Sequence, residues 1–167
     1  MEETAADLAA MQRLIDGSHA AAGSHMRTIF DERRRLSAAQ VAAELTGMQI
    51  LALSTVTAAG EPRVAPVDGH LYRGKFHFGS GHDSMRFRHL RARPAVSAAA
   101  IRGEDLCVIV HGRAVELDIG APVNAAFLDH VVGVYRDRYG PEWREFALEA
   151  AWARIEPERM YTFVNRT

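Results

Sequence analysis

One cysteine, one lysine and no long apolar run set the first limits on this chain of 167 residues. The lone Cys107 excludes an internal disulfide and points to a reducing compartment. Lys75 is the single lysine among 20 basic residues, which reads as the codon bias of a GC-rich genome and not as mechanism. The longest apolar stretches, around Ile50–Val56 and Leu106–Val110, have the length of strands. They fall far short of the roughly 20 residues that cross a bilayer. Charge of one sign is also missing: the net value is −1, so there is no whole-chain footprint for nucleic acid or an anionic membrane. The opening MEETAADLAA is acidic and lacks the basic-then-apolar order of a secretory signal, so the expected location is the cytoplasm. What is present, 48% hydrophobic and 25% charged residues, suits one globular domain with a real core. No internal repeat or low-complexity linker divides it.

The period of the hydrophobic pattern changes once along the chain. Residues 3–16 carry Leu8, Met11, Leu14 and Ile15 on one stripe, which predicts an amphipathic helix ended by Gly17-Ser18. Ser37-Ala-Ala-Gln40 is a capping-box pattern and predicts a second helix from Ala38 to Thr46, closed by Gly47. Residues 1–47 therefore read as a helical extension. From Met48 the pattern is that of strands joined by hairpins. MQILALSTVT, PRVAPVDGHLY, FHFGS, AVSAAAI and LCVIVHGRAVEL are separated by turns at Ala58–Glu61, Arg73–Lys75 and Arg102–Asp105. Pro62 and Pro66 argue for an edge, a bulge, or a strand whose backbone faces a ligand. Residues 122–150 read as a helical insertion, with Pro122 opening a helix through Tyr139 and Pro141 opening another that contains Trp143 and Phe146. A closing strand interrupted by Pro157 follows. Hairpins without regular βαβ alternation point to a mainly β protein with flanking helices, an antiparallel barrel or sandwich over residues 48–167.

Chemistry concentrates between Phe76 and Pro94. The strand Phe76-His77-Phe78 breaks at Gly79-Ser80-Gly81 and restarts as a helix, with Asp83 expected as its N-cap. Unpaired N–H groups and the helix dipole make such a start suited to an anion. The first turn adds the Ser84 hydroxyl and the Arg86 guanidinium, and the glycines let a bound group approach the backbone. This stretch reads as the phosphate grip of a flavin-like cofactor.

The order of these segments resembles the pyridoxamine 5′-phosphate oxidase-like split β-barrel family. The motifs that carry the likeness are Arg63-Val64-Ala65-Pro66-Val67, Phe76-His77-Phe78-Gly79-Ser80, Ser84-Met85-Arg86, and Leu90 followed by Pro94. The likeness runs from about Thr46 to Leu117 and returns near Pro157–Phe163. It implies a homodimer with a flavin or deazaflavin at each end of the interface. Val64, Ala65, Pro66 and Val67 would line the ring with backbone groups. Gly79 and Ser80 would touch the ribityl chain and phosphate, and Ser84, Met85 and Arg86 form the phosphate turn, with Arg63 a second phosphate partner. Cys107 would stand where relatives place a polar residue near the ring. Met85 replaces a basic residue of the true oxidases, Asp68 follows the Pro-Val pair where no lysine meets a substrate phosphate, and the Trp-x-x-x-Arg ending is missing. The resemblance thus implies the scaffold and cofactor grip without vitamin B6 chemistry.

Three readings follow from the resemblance. The first is an FMN-dependent oxidoreductase moving hydride to or from a small molecule. The second is the same chemistry with coenzyme F420, whose polyglutamate tail Arg88 and Arg91 would meet. The third is a flavin- or haem-binding protein without turnover. No side chain is compelled to act as acid or base, with His70 and His111 the candidate proton donors. Zinc-ligand spacing is absent, so no metal site is expected. His77 and His111 read as hydrogen-bonded strand residues. Trp143 and Trp152 read first as core and second as cover for a ring across the interface.

Overall fold

From Met48 onward the strand-like pattern of the sequence becomes a closed barrel in the computed structural model, which describes residues 2–165. The strands are β1 (Met48–Val56), β2 (Pro62–Tyr72), β3 (Lys75–Ser80), β4 (Ala95–Arg102), β5 (Leu106–Leu117) and β6 (Ala151–Val164). They close in the order β1-β2-β3-β6-β5-β4 with every pair antiparallel. Closure removes most strand edges, and alternation sends Leu51, Leu53, Phe76, Phe78, Val108 and Val110 inward, where all are buried.

β2 is open along half of one edge. β2 pairs with β1 from Pro62 to His70 but with β3 only from Gly69 to Tyr72. Along Pro62–Asp68 its second edge has no strand beside it. Both prolines of β2 lie there, where a missing N–H costs no ladder bond. Opposite, Pro157 does not interrupt β6 as the sequence suggests. The strand runs through a bulge, with the register shifting between His111 and Gly112. Gly112 is needed at that bulge, since a Cβ would lie 2.1 Å from the Glu156 carbonyl oxygen.

The N-terminal helices are α1 (Ala5–Ala20), α2 (Ser24–Ile29) and α3 (Ala38–Glu44). α1 passes through the expected stop at Gly17-Ser18 because its last turn docks on β6. There the Ser18 hydroxyl donates to the Leu14 carbonyl at 2.7 Å and accepts from the Met160 N–H at 2.9 Å. Tertiary contact overrides local propensity. The capping box of Ser37 and Gln40 forms, though α3 is shorter than expected, ending at Glu44. Met11, Ile15, Val41 and Leu45 join the same buried cluster as the barrel interior, so the extension and the barrel share one core.

α4 (Met85–Ala92) follows β3, and α5 (Ala125–Tyr139) and α6 (Trp143–Glu149) form the insertion before β6. α5 buries Tyr135 and places Phe127, Leu128, Val131 and Val132 in a second cluster with Tyr72 and Trp152. Among the described residues no helix is long and apolar enough to cross a membrane.

Histidines sit in the seam between α5 and the barrel. His70 is fully buried and neither ring nitrogen has a hydrogen-bond partner; its ring stands edge-on to His130 and Tyr135, with centroids 5.6 and 5.5 Å away. Burial, aided by the neighbouring His130 and His77, pushes its pKa down to about 3 from the ordinary 6.5. His77, whose Nδ1 lies 3.0 Å from the Lys75 carbonyl, is pushed by burial to about 4. Both are neutral in the fold but titrate near 6.5 once unfolded. Below that pH the unfolded chain binds more protons, so stability is lost as pH falls from about 6.5 toward 3–4. At pH 5 each histidine is expected to cost about 2 kcal/mol relative to neutral pH. Urea unfolding at pH 7.5 and pH 5 measures this. His70→Leu should remove about half of the difference, and an unchanged difference would show that His70 is not the source.

Candidate functional site

The open half of β2 is met by α4. Gly79 and Ser80 end β3, the chain turns through Gly81–Asp83, and Ser84, not Asp83, caps the helix by accepting from the Phe87 N–H at 3.3 Å. The expectation for Asp83 fails by one residue because the chain is still in a turn there, with the Ser84 N–H bonded to the Gly81 carbonyl at 3.0 Å. Arg86 therefore stands at the second helical position. Its Nη2 donates to the Pro66 carbonyl at 3.0 Å and its Nη1 to the Ser80 hydroxyl at 3.2 Å. It is half-buried and burial lowers its pKa, yet among the described residues no carboxylate lies within ion-pair distance. A partly desolvated cation without a counter-ion is a seat for an anion.

The other arginines are engaged or exposed. Arg63 pairs with Glu61 at 2.7 Å in the open. Arg91 holds Glu116 in a two-pronged pair, with Nε and Nη2 at 2.8 and 2.6 Å from the two carboxylate oxygens. Arg88 lies against the Met85 sulfur.

Two clefts meet at Arg86. The first, about 480 Å³, is lined by Arg63, Val64, Ala65, Ser84, Met85 and Arg86, with Leu53, Thr55 and His89 behind them. His89 is buried, its Nδ1 2.9 Å from the Thr55 hydroxyl. The second, about 470 Å³, takes in Pro66, Val67, Gly79, Ser80 and Arg86 and is walled by the insertion through Tyr135, Trp143 and Phe146. Trp152 forms its floor. The indole donates to the Ala147 carbonyl at 2.8 Å and lies flat under Gly79, where a Cβ would come within 3.1 Å of three ring atoms.

Ten of the sequence-derived site residues thus border one cleft or the other. Cys107 borders neither: it is half-buried on β5, opposite Ile101 and Phe163, and burial raises its pKa. His70, the other candidate proton donor, is buried in the seam with α5 and borders neither cleft. His111 is exposed and bound to the Ser97 hydroxyl at 2.7 Å, apart from both clefts. Trp152 is core, as its first reading has it, whereas Trp143 is half-buried, stacks on Tyr135 with centroids 4.1 Å apart, and covers the cleft of its own chain. Sequence reading missed the Thr55–His89 pair, the bond from Arg86 to the Pro66 carbonyl, and the bond by which Asp68 accepts from the Tyr135 hydroxyl at 3.1 Å. Burial and the Asp68 carboxylate push the Tyr135 pKa well above the ordinary tyrosine value, so it stays a donor. Only the spacing of Trp143 and Phe146, one turn apart, hinted at an aromatic wall.

No family model matches the chain, and no curated protein matches it. Solved structures do. The conserved hypothetical protein Rv2991 of Mycobacterium tuberculosis aligns at a TM-score of 0.68 and 19% identity, over 81% of this chain and 89% of that one. An FAD-binding protein of Mesorhizobium loti aligns at 0.60 and 23%, over 80% and 98%. A putative pyridoxamine 5′-phosphate oxidase of Listeria innocua aligns at 0.55 and 14%, over 68% and 87%. Structures described as the heme storage protein HutZ of Vibrio cholerae and as an F420 reductase align at 0.55 and 0.52. The chain has the fold of these proteins, the split β-barrel.

Gly79→Ala is expected to cost about 1–2 kcal/mol, because the indole below is bonded and packed and cannot easily yield. A lowered urea midpoint with shifted tryptophan fluorescence is the readout; unchanged values would show that Trp152 does not press on the strand.

Proposed function

We propose that the protein is a cytoplasmic, homodimeric oxidoreductase that binds FMN and moves hydride to or from a small molecule. The observation that carries this is Arg86, a half-buried cation held at the mouth of two clefts by Ser80 and the Pro66 carbonyl, with no carboxylate beside it among the described residues. Solved structures of the same fold include proteins described as FAD-binding and as an F420 reductase, which supports a flavin-type ligand. The residues present fit such a group: one cationic fork and the hydroxyls of Ser80 and Ser84 for a phosphate, then the exposed strand Val64–Pro66 for a flat ring. FMN is favoured over coenzyme F420 because Arg91 is committed to Glu116, which leaves Arg88 alone of the two to meet an acidic tail. It is favoured over haem because His89, the histidine of the clefts, is buried and tied to Thr55.

When bound, the flavin supplies a ring that accepts or releases hydride. The protein's part is to seat the phosphate on Arg86 and Ser84, to align the ring along Val64–Pro66, and to keep water off it. Water exclusion needs a second copy. The outer face of β1, β2 and β4 presents Ile50, Val64 and Ile101 at 56, 71 and 59% exposure, with Ala52, Pro66 and Ala99 between them. So large an open apolar face next to the ring position fits a dimer contact. The single cysteine fits the reducing cytoplasm.

Absorbance of the purified protein tests the cofactor. Two flavin bands are expected, and a Soret band or a single deazaflavin band would overturn the FMN assignment. Arg86→Ala should weaken FMN binding by about 1.5–3 kcal/mol, roughly ten- to a hundredfold in Kd, with the far-ultraviolet circular dichroism intact. An unchanged Kd removes Arg86 from the site. Sedimentation should give a dimer for the parent and a monomer for Ile101→Asp; a monomeric parent rules out the covered face.

A further inference from the structure

The second cleft carries charge of both signs. Arg86 reaches the Ser80 hydroxyl and the Pro66 carbonyl. Asp68 and Glu149 also line it, together with Tyr135, Trp143, Phe146 and Trp152. Neither carboxylate has a cationic partner among the described residues, and both side chains are exposed to the opening. Asp68 is held in place by the Tyr135 hydroxyl, a neutral donor that orients the carboxylate without cancelling its charge. Phe146 is 62% exposed although it belongs to a short helix whose buried face is elsewhere, at Ala147. Trp143 is braced by its stack on Tyr135, so the aromatic wall is preformed.

Aromatic faces attract cations through the ring quadrupole, and carboxylates at the rim add charge attraction of the same sign. A flat neutral molecule would gain the apolar contact alone, and an anion would meet Asp68 and Glu149. We infer that this cleft binds a small planar aromatic ring carrying an ammonium or other cationic nitrogen. The ring lies on Trp143 and Phe146 and the cation reaches Asp68 and Glu149. The cleft shares Arg86 with the cofactor-side cleft, and its Pro66 follows Ala65 of that cleft on β2, so its occupant lies beside the ring position. That the occupant is the substrate rests on the oxidoreductase reading; that the cleft selects a cation does not. The same selection accounts for Asp68 standing where a phosphate-bearing substrate would call for a lysine.

The test uses two probes of equal shape and different charge, 2-phenylethylammonium and 2-phenylethanol, titrated into the full-length protein at pH 7.5 and read by tryptophan fluorescence and calorimetry. The ammonium is expected to bind at least about fivefold more tightly than the alcohol. Asp68→Asn combined with Glu149→Gln should abolish that preference while leaving alcohol binding unchanged. Phe146→Ala, an exposed position where folding is not at stake, should weaken both probes. Arg86→Ala should keep the preference, which separates this cleft's selectivity from the phosphate grip. Equal affinities for the two probes in the parent, a preference that survives the double carboxylate variant, or no saturable binding of the ammonium would each overturn the inference.

Discussion

The fork of Arg86 spans the gap on which the architecture turns. β2 leaves β3 after Gly69, and from there to Pro62 one edge of the strand has no backbone partner. Unpaired carbonyls at such an edge need donors. α4 delivers one by pointing Arg86 at Pro66, and the same side chain anchors on Ser80 at the end of β3. A single guanidinium therefore joins the two strands where the barrel's hydrogen bonding lapses, and with no carboxylate beside it among the described residues its charge is left for a ligand. Opening of the barrel and attraction for an anion come from one arrangement.

The glycine before Ser80 has a different partner. Gly79 pairs with Trp152 across β3 and β6, and its lack of a side chain lets the indole lie against the strand. Trp152 reaches back to Ala147, so the floor of the aromatic cleft and the end of the insertion hold each other. Gly79, which reads in sequence as room for a ligand, serves first as room for a tryptophan. The insertion then brings Tyr135 and Trp143 onto that floor. What began as a helical excursion between β5 and β6 becomes the wall of a site.

The barrel also depends on elements outside its strands. The N-terminal extension supplies Met11, Ile15, Val41 and Leu45 to the barrel's core, and the Ser18 hydroxyl accepts from the Met160 N–H of β6. On the other side, the seam between α5 and the barrel holds His70, His77 and His130, whose pKa values burial lowers. Stability contributed there is lost as pH falls.

Alternating apolar residues, turn glycines and the capping box at Ser37 determined the strands, their hairpins and α3, since these follow from backbone sterics and local hydrogen bonds acting over a few residues. The same locality located Ser84 and Arg86 at a helix start, although the capping residue was misjudged by one place. Only the tertiary structure decided that Arg91 has an acid beside it and Arg86 does not, because pairing Arg91 with Glu116 joins residues 25 positions apart. It likewise set Cys107 away from the clefts, carried α1 past its glycine, and brought Asp68 to Tyr135, 67 positions along the chain. Contacts of that range depend on barrel closure and on where the insertion lands. Both are settled by packing of the whole chain and leave no mark on any short stretch of it.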